Sequence, residues 1–250
     1  MGECIPLDDQ QYPPHAPVPW KRREVIGLAT LYLGDCREIA PTLGRPAAVI
    51  SDPPYGMSAN TDSRRFTGGN GVNRGEGLEW GEIIGDAGPF DPAQWLQAAG
   101  RVVLWGANHY GAKLPVGTTL VWVKKAPHLF GTFLSDAEIA WMRGGHGVYC
   151  QEVSFPPPSR IAEAALGTGH PAHPTQKPVA LMQWCIERAK VPSGGTILDP
   201  YMGSGSTGVA AVQMRHPFIG IEIEERYFDR ACRRIEEAQR QGDMLRDMPA

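Results

Sequence analysis

Thr196-Ile197-Leu198-Asp199-Pro200-Tyr201-Met202-Gly203-Ser204-Gly205-Ser206-Thr207-Gly208 decides the fold: a short apolar run, an acidic residue, then a turn punctuated by glycine. The same logic recurs earlier, where Ala47-Ala48-Val49-Ile50 runs through Ser51 into Asp52-Pro53-Pro54-Tyr55. Each stretch places an Asp where a buried strand ends and a loop begins. In an open parallel α/β sheet, ligands bind in the crevice outside the carboxyl ends of the strands. Two acidic loops leaving such ends can share one crevice, however far apart they lie in the chain.

Working outward, Val25 to Leu33 is β-prone and ends at Gly34-Asp35. Ala47–Ile50, Arg101–Trp105, Thr118–Val123, Ala137–Trp141, Thr196–Leu198 and Pro217–Ile223 bring the set to about seven strands. Helical spacing falls between them. Val179, Leu181, Met182, Cys185 and Ile186 recur at three and four, with Pro178 placed as a first helical residue. Gly208–Met214 is a short helix after the glycine turn, and Tyr227, Phe228, Ala231, Cys232 and Ile235 form the apolar stripe of a final one. Strands alternating with helices predict an α/β fold, a mostly parallel seven-stranded sheet with helices on both faces. Residues 1–22, with Pro6, Pro13, Pro14, Pro17 and Pro19, read as an extended arm, and 23–250 as a single domain. Two stretches, 56–88 and 144–172, carry glycine and polar residues with little apolar pattern, and long loops of this kind are usually functional or disordered.

The totals set bounds. With 24 basic and 27 acidic residues in 250, a protein coated in positive charge is excluded, although a local groove can still be basic. Cys4, Cys36, Cys150, Cys185 and Cys232 show neither a disulfide framework nor metal-ligand spacing, which suits a reducing compartment. The longest apolar runs fall short of a membrane span. His170 and His173 have no further ligand nearby in sequence, so no metal is expected. In the turn Gly203-Ser204-Gly205-Ser206-Thr207-Gly208, glycines allow tight turning and close approach to a ligand, and the helix start offers unpaired N–H groups. No Lys follows, so it is not a phosphate loop, nor does it have the dinucleotide spacing.

Taken together and in this order, the two motifs resemble the S-adenosylmethionine-dependent amino-methyltransferases acting on DNA, the N-4/N-6 methylases, in the permuted arrangement with the catalytic motif first. The resemblance covers roughly residues 30–240 and implies a Rossmann-like methyltransferase fold with S-adenosylmethionine as cofactor. It assigns catalysis to Asp52, Pro53, Pro54 and Tyr55. An exocyclic amine is a poor nucleophile because its lone pair is conjugated into the ring. Asp52 and the Pro53 carbonyl can accept its hydrogens, and the two prolines bring no competing N–H and stiffen the turn. Tyr55 offers a flat face for an extruded base. On the cofactor side, the resemblance assigns Asp199, Gly203, Ser204 and Gly205 to the cofactor turn. Glu222, at the end of the following strand, is assigned to the ribose hydroxyls, Asp35 to the adenine, and Thr175 and Lys177 of His173–Pro178 to the methionine end. Asn108, after Trp105-Gly106, is a candidate pocket residue or a cap, and Trp141 is expected in the core.

DNA is the partner this implies, contacted by Arg64, Arg65 and Arg74 in the 56–88 loop. The expected reaction is transfer to the N6 amine of adenine, because family members acting on cytosine N4 more often carry Ser at position 52. The cytosine reaction and an inactive DNA-binding subunit remain the alternatives. The expected setting is cytoplasmic, prokaryotic or phage-encoded, with nucleoid-associated DNA as substrate. A homodimeric state and a companion restriction endonuclease are left open.

Overall fold

The computed structural model describes residues 18–56, 88–132, 135–153 and 176–246. Arg64, Arg65, Arg74 and Thr175 lie outside them, as does most of both candidate loops and of the N-terminal arm. The fold is α/β, and the described residues form one nine-stranded sheet.

The strands are β1 (Arg22–Ile26), β2 (Ala29–Leu33), β3 (Ala48–Ser51), β4 (Arg101–Trp105), β5 (Thr118–Val123), β6 (Ala137–Met142), β7 (Val148–Glu152), β8 (Ile197–Asp199) and β9 (Phe218–Glu222). They lie in the order β1-β2-β9-β8-β3-β4-β6-β5-β7. The run from β2 through β9, β8 and β3 to β4 is parallel; β6 runs antiparallel to β4 and β5, and β7 parallel to β5.

Two strands exceed the sequence expectation. The apolar run from Val25 is not one strand but a hairpin, because Gly27 turns the chain at φ +54° and β1 folds back antiparallel on β2. That left-handed backbone, rather than the space beside the flexible Gln239 side chain, is what favours glycine at the turn. Residues 148–152, expected in a loop, form the edge strand β7, with most of its residues exposed. An edge strand with so little of either face buried shows no hydrophobic alternation to betray it. The end of the expected arm is pinned as well. The Lys21 N–H donates to the Leu33 carbonyl, and Trp20 packs edge-on against Tyr32.

Helices cover both faces. Val49, Val102, Leu104, Leu198 and Ile221 point to one face, against Trp95 of α2 (Ala93–Ala98), Tyr110 of α3 (Ala107–Tyr110) and Ile39 of α1 (Cys36–Ile39). Their sequence neighbours Ala48, Ile50, Val103 and Ile197 point to the other, as strand geometry requires. There they meet α4 (Val179–Arg188), α5 (Ser206–Gln213) and α6 (Glu225–Arg246). On α6 the buried residues Phe228, Ala231, Ile235 and Ala238 recur at three and four, so one stripe faces the core. Pro178 is the cap of α4 rather than its first residue, with ψ 142°. Trp141 is in the core as expected, its indole N–H donating to the Pro115 carbonyl. Among the described residues no helix is long and apolar enough to cross a membrane.

The position of the site follows from the strand order. From β8 the chain crosses through α5 to β9 on one side, and from β3 it reaches β4 on the other. Adjacent parallel strands whose connections diverge leave a crevice at their carboxyl ends. The loops leaving β3 and β8 begin with Asp52 and Pro200.

Candidate active site

Both acidic turns open into a single cavity of about 950 Å³, together with Gly34-Asp35, Gln176-Lys177 and Glu222. Beneath them the two strand ends are tied directly. Ser51 Oγ donates to Asp199 Oδ1 at 2.6 Å across 148 residues of sequence, and the same oxygen accepts the Tyr201 N–H at 3.1 Å. Asp199 is almost fully buried, and burial pushes its carboxyl up to about 6 despite these donors. Its carboxylate fixes the glycine turn to the end of β3.

The two glycines of that turn have different tasks. Gly203, at φ +51°, would direct a Cβ into open space, so its backbone lies bare against the cavity. Gly205, at φ +83°, would drive a Cβ to 2.9 Å from Ala231 Cβ and 3.1 Å from Ala231 Cα. It is therefore the contact that lets α6 pack against the start of α5. Between them, Ser204 Oγ donates to Gln176 Oε1 at 3.1 Å, and Arg234 donates to the Ser204 carbonyl at 2.6 Å. Gln176, which the sequence reading passed over, thus joins the segment before α4 to the glycine turn.

Glu222 stands at the carboxyl end of β9 with both oxygens engaged. Oε2 accepts the Gly203 N–H at 2.9 Å, and Oε1 those of Ile223 and Glu224 at 2.9 and 2.8 Å. Burial outweighs these donors and pushes its carboxyl up to about 7. Asp35 lines the cavity, but its carboxylate caps α1 through the Arg37 N–H and is gripped by the Arg37 guanidinium, which holds it below the usual range.

On the β3 side, Tyr55 O–H donates to Asp52 Oδ1, and Lys177 Nζ holds Asp52 Oδ2 at 2.6 Å. Lys177 was expected at the methionine end of a cofactor; instead its ammonium lies between Asp52 and Glu138, 3.0 Å from Glu138 Oε2. Lys124 takes the other Glu138 oxygen at 2.9 Å. Burial opposes charge on Lys177, but Asp52 and Glu138 outweigh it and raise its pKa well above the ordinary lysine value. Burial would likewise raise Glu138, yet Lys177 and Lys124 bring it down to about 2. Asp52 is raised by burial, with Lys177 opposing and Glu138 adding.

Tyr55 is not bare. Its ring stacks on His109, centroids 5.0 Å apart and planes at 11°, and lies against Gly106. A Cβ on Gly106, at φ +75°, would fall 2.0 Å from the ring, so glycine after Trp105 is what allows Tyr55 this place. His109 thus covers a face on which an extruded base was expected to stack. Asn108 lines the cavity and lies 3.0 Å from His109 Nε2.

Of the residues expected from sequence, Asp35, Asp52, Pro53, Pro54, Tyr55, Lys177, Asp199, Gly203, Ser204 and Glu222 line this one cavity. Gly205 stands behind it. Glu138 and His109 went unremarked, although Glu138 sits in a strand pattern that sequence could place on this edge.

Residues 121–233, a little under half of the chain, match the DNA methylase family (N6_N4_Mtase). The chain is similar to the putative methylase YubD of Escherichia coli K12, with 44% identity over 73 residues covering 29% of this chain and 32% of that protein. It is also similar to the type II methyltransferase M2.DpnII of Streptococcus pneumoniae, 47% identical over 64 residues, or 26% of this chain and 24% of that one. The chain thus spans a third or less of these curated relatives. Among solved structures, PvuII DNA methyltransferase (cytosine-N4-specific) superposes with a TM-score of 0.56 at 14% identity, covering 90% of this chain and 96% of that one. The M1.HpyAVI–SAM complex gives 0.53 at 23% identity, covering 82% and 99%. These likenesses place the fold among the methyltransferases.

Proposed function

We propose that this protein is a DNA methyltransferase that transfers the methyl group of S-adenosylmethionine to the exocyclic N6 amine of adenine, on a base flipped out of the duplex. One observation carries the reading. The Asp52-Pro53-Pro54-Tyr55 turn and the Gly203-Ser204 turn leave neighbouring parallel strands, are joined by the Ser51–Asp199 hydrogen bond, and face one cavity. The DNA methylase match over residues 121–233 supports the same chemistry.

The residues present fit the cofactor. Gly203 gives its backbone open access to the cavity, and a cavity of about 950 Å³ is in the range that holds a molecule of that size. Glu222, anchored by three backbone N–H groups, keeps lone pairs for ribose hydroxyls. When bound, the sulfonium would supply an electrophilic methyl group, its S–CH3 bond breaking to leave the thioether S-adenosylhomocysteine while the nitrogen gives up one proton to solvent. The protein's part is to orient and activate the amine: Asp52 exchanges its Tyr55 bond for an amine hydrogen, and the Pro53 carbonyl accepts the other. Orientation of this kind is worth much of a barrier, since a misplacement of about 1 Å can cost about a hundredfold in rate. Asp at position 52, where the cytosine enzymes more often carry Ser, favours adenine.

Labelled methyl transfer to DNA, followed by digestion to nucleosides, tests both levels. Label in N6-methyl-2′-deoxyadenosine is expected. Label in N4-methyl-2′-deoxycytidine would overturn the choice of base, and none in DNA would overturn the reading itself.

A further inference from the structure

Beyond the Asp-Pro-Pro-Tyr turn, a row of charges crosses the floor of the cavity: Lys124, Glu138, Lys177, Asp52, with Tyr55 at its end. The contacts between the charged groups are 2.9, 3.0 and 2.6 Å, and the Tyr55 hydroxyl donates to Asp52. The residues come from β5's end, β6, the segment before α4, and the loop after β3. Lys177 is the pivot. Its side chain is only 5% exposed, and its ammonium is shared by two carboxylates.

That sharing matters for the amine. Asp52 works by accepting amine hydrogens, and a charge-assisted bond to a buried ammonium competes for the same lone pairs. A lysine leaning on Asp52 alone would draw off electron density and hold the carboxylate as a weak acceptor. Glu138, on the opposite side of Nζ, takes part of that hold. We propose that Glu138 is a positioning residue of the transfer, which keeps Lys177 midway between two carboxylates and so leaves Asp52 able to accept from the amine.

This rests on the methyltransferase reading above. The charged and titratable groups facing Asp52 are Lys177, Glu138, Tyr55, Tyr110 and Asp199, with Lys124 behind Glu138 and His109 behind Tyr55. Glu138 raises the proton affinity of Asp52 and Lys177 lowers it. Lys124 in turn holds Glu138 ionised. The sign follows. Neutralising Glu138 leaves Lys177 to Asp52, whose titration moves to lower pH. Neutralising Lys124 frees more of the Glu138 charge and moves it to higher pH.

The test uses Glu138→Gln, which keeps shape and an acceptor oxygen but removes the charge, and Lys124→Gln as the opposing variant. In the cofactor-free protein, the Asp52 carboxyl is followed by carbon NMR against pH, its signal assigned by its loss in Asp52→Asn. The Asp52 midpoint is expected to fall by about one pH unit in Glu138→Gln, as an uncompensated neighbouring cation produces, and to rise in Lys124→Gln. In steady-state transfer, kcat of Glu138→Gln should drop roughly threefold to tenfold, with the acidic limb of its pH profile displaced in the same direction as the NMR midpoint. Glu138→Asp should restore part of both. A Glu138→Gln protein that melts lower but keeps the wild-type Asp52 midpoint and pH profile would show a purely structural residue and overturn the proposal. If wild-type protein transfers no methyl group to DNA, the underlying reading falls, wherever Asp52 titrates.

Discussion

Replacing Gly203 and Gly205 by alanine, one at a time, should damage two different properties although the residues lie two apart. At Gly203 the new methyl group meets nothing within 4 Å, so its cost to the fold is the left-handed backbone alone, about 1–2 kcal/mol. At Gly205 the same strain is joined by overlap with Ala231 at 2.9 and 3.1 Å, the nearer a side-chain and the farther a backbone atom. Neither can swing away, and overpacking of this kind adds about 1–3 kcal/mol, for about 2–5 kcal/mol together. Binding should invert the order. The Gly203 methyl group stands where a ligand approaches the turn, and losing about 1.4 kcal/mol of contact weakens binding about tenfold. Gly205→Ala, where it folds, should bind S-adenosylmethionine within about threefold of wild type, because its side chain faces α6. Urea denaturation read by tryptophan fluorescence gives the first quantity and calorimetry without DNA the second. Equal loss of stability in both variants would refute the division of tasks. So would tight cofactor binding by Gly203→Ala.

Asp52→Ala is predicted to abolish methyl transfer while leaving S-adenosylmethionine affinity nearly unchanged, since its proposed role is in the transition state; calorimetry beside a transfer assay checks it, and a wild-type rate would sink the mechanism. Glu222 should make cofactor affinity and stability depend on pH in opposite senses. Its carboxyl is held at about 7 in the fold against an ordinary 4.5, so its contribution to stability is complete below about pH 4.5 and is lost as pH rises through 7. Affinity, which needs the carboxylate, should rise over the range around pH 7 with release of a proton, and Glu222→Gln should flatten that rise in calorimetry run in two buffers. Arg64→Ala with Arg65→Ala, in the stretch beside Asp-Pro-Pro-Tyr, should weaken DNA binding and lower its salt dependence by up to about two units of slope, with cofactor binding intact. Normal DNA binding at every salt concentration would move recognition elsewhere.

The strand-end motifs were legible in sequence because each couples a buried apolar run to residues with strong backbone demands, proline at 53 and 54 and glycine at 203 and 205. Their meeting followed from the rule for parallel sheets. What escaped depends on tertiary partners. Glycine at 27 inside an apolar run looks like a tolerated interruption until β1 is seen folding back on β2. Val148–Glu152 has no buried face and so no pattern. Glu138 alternates with apolar neighbours as any solvent-side residue would, and only the arrival of Lys177 and Lys124 gives its charge a purpose. Lys177 itself lies 125 residues from Asp52, and a motif match assigned it to the cofactor before geometry placed it at the carboxylate. Gly205 shows the same limit, since a motif does not say which glycine faces a ligand and which faces a helix.

The interleaved strand order has a consequence for how the protein is made. β2 and β3 are synthesised early, yet in the finished sheet they are separated by β8 and β9, which come from residues 197–222. A chain emerging from the ribosome therefore carries Asp-Pro-Pro-Tyr at the end of a strand whose β8 neighbour does not yet exist. The Ser51–Asp199 bond and the cavity can form only after the two late strands slot into the middle of the sheet. Pairings so distant in sequence fold slowly, because loop closure must precede any reward. The cavity thus assembles at one late moment, when residues 197–222 join strands made long before them.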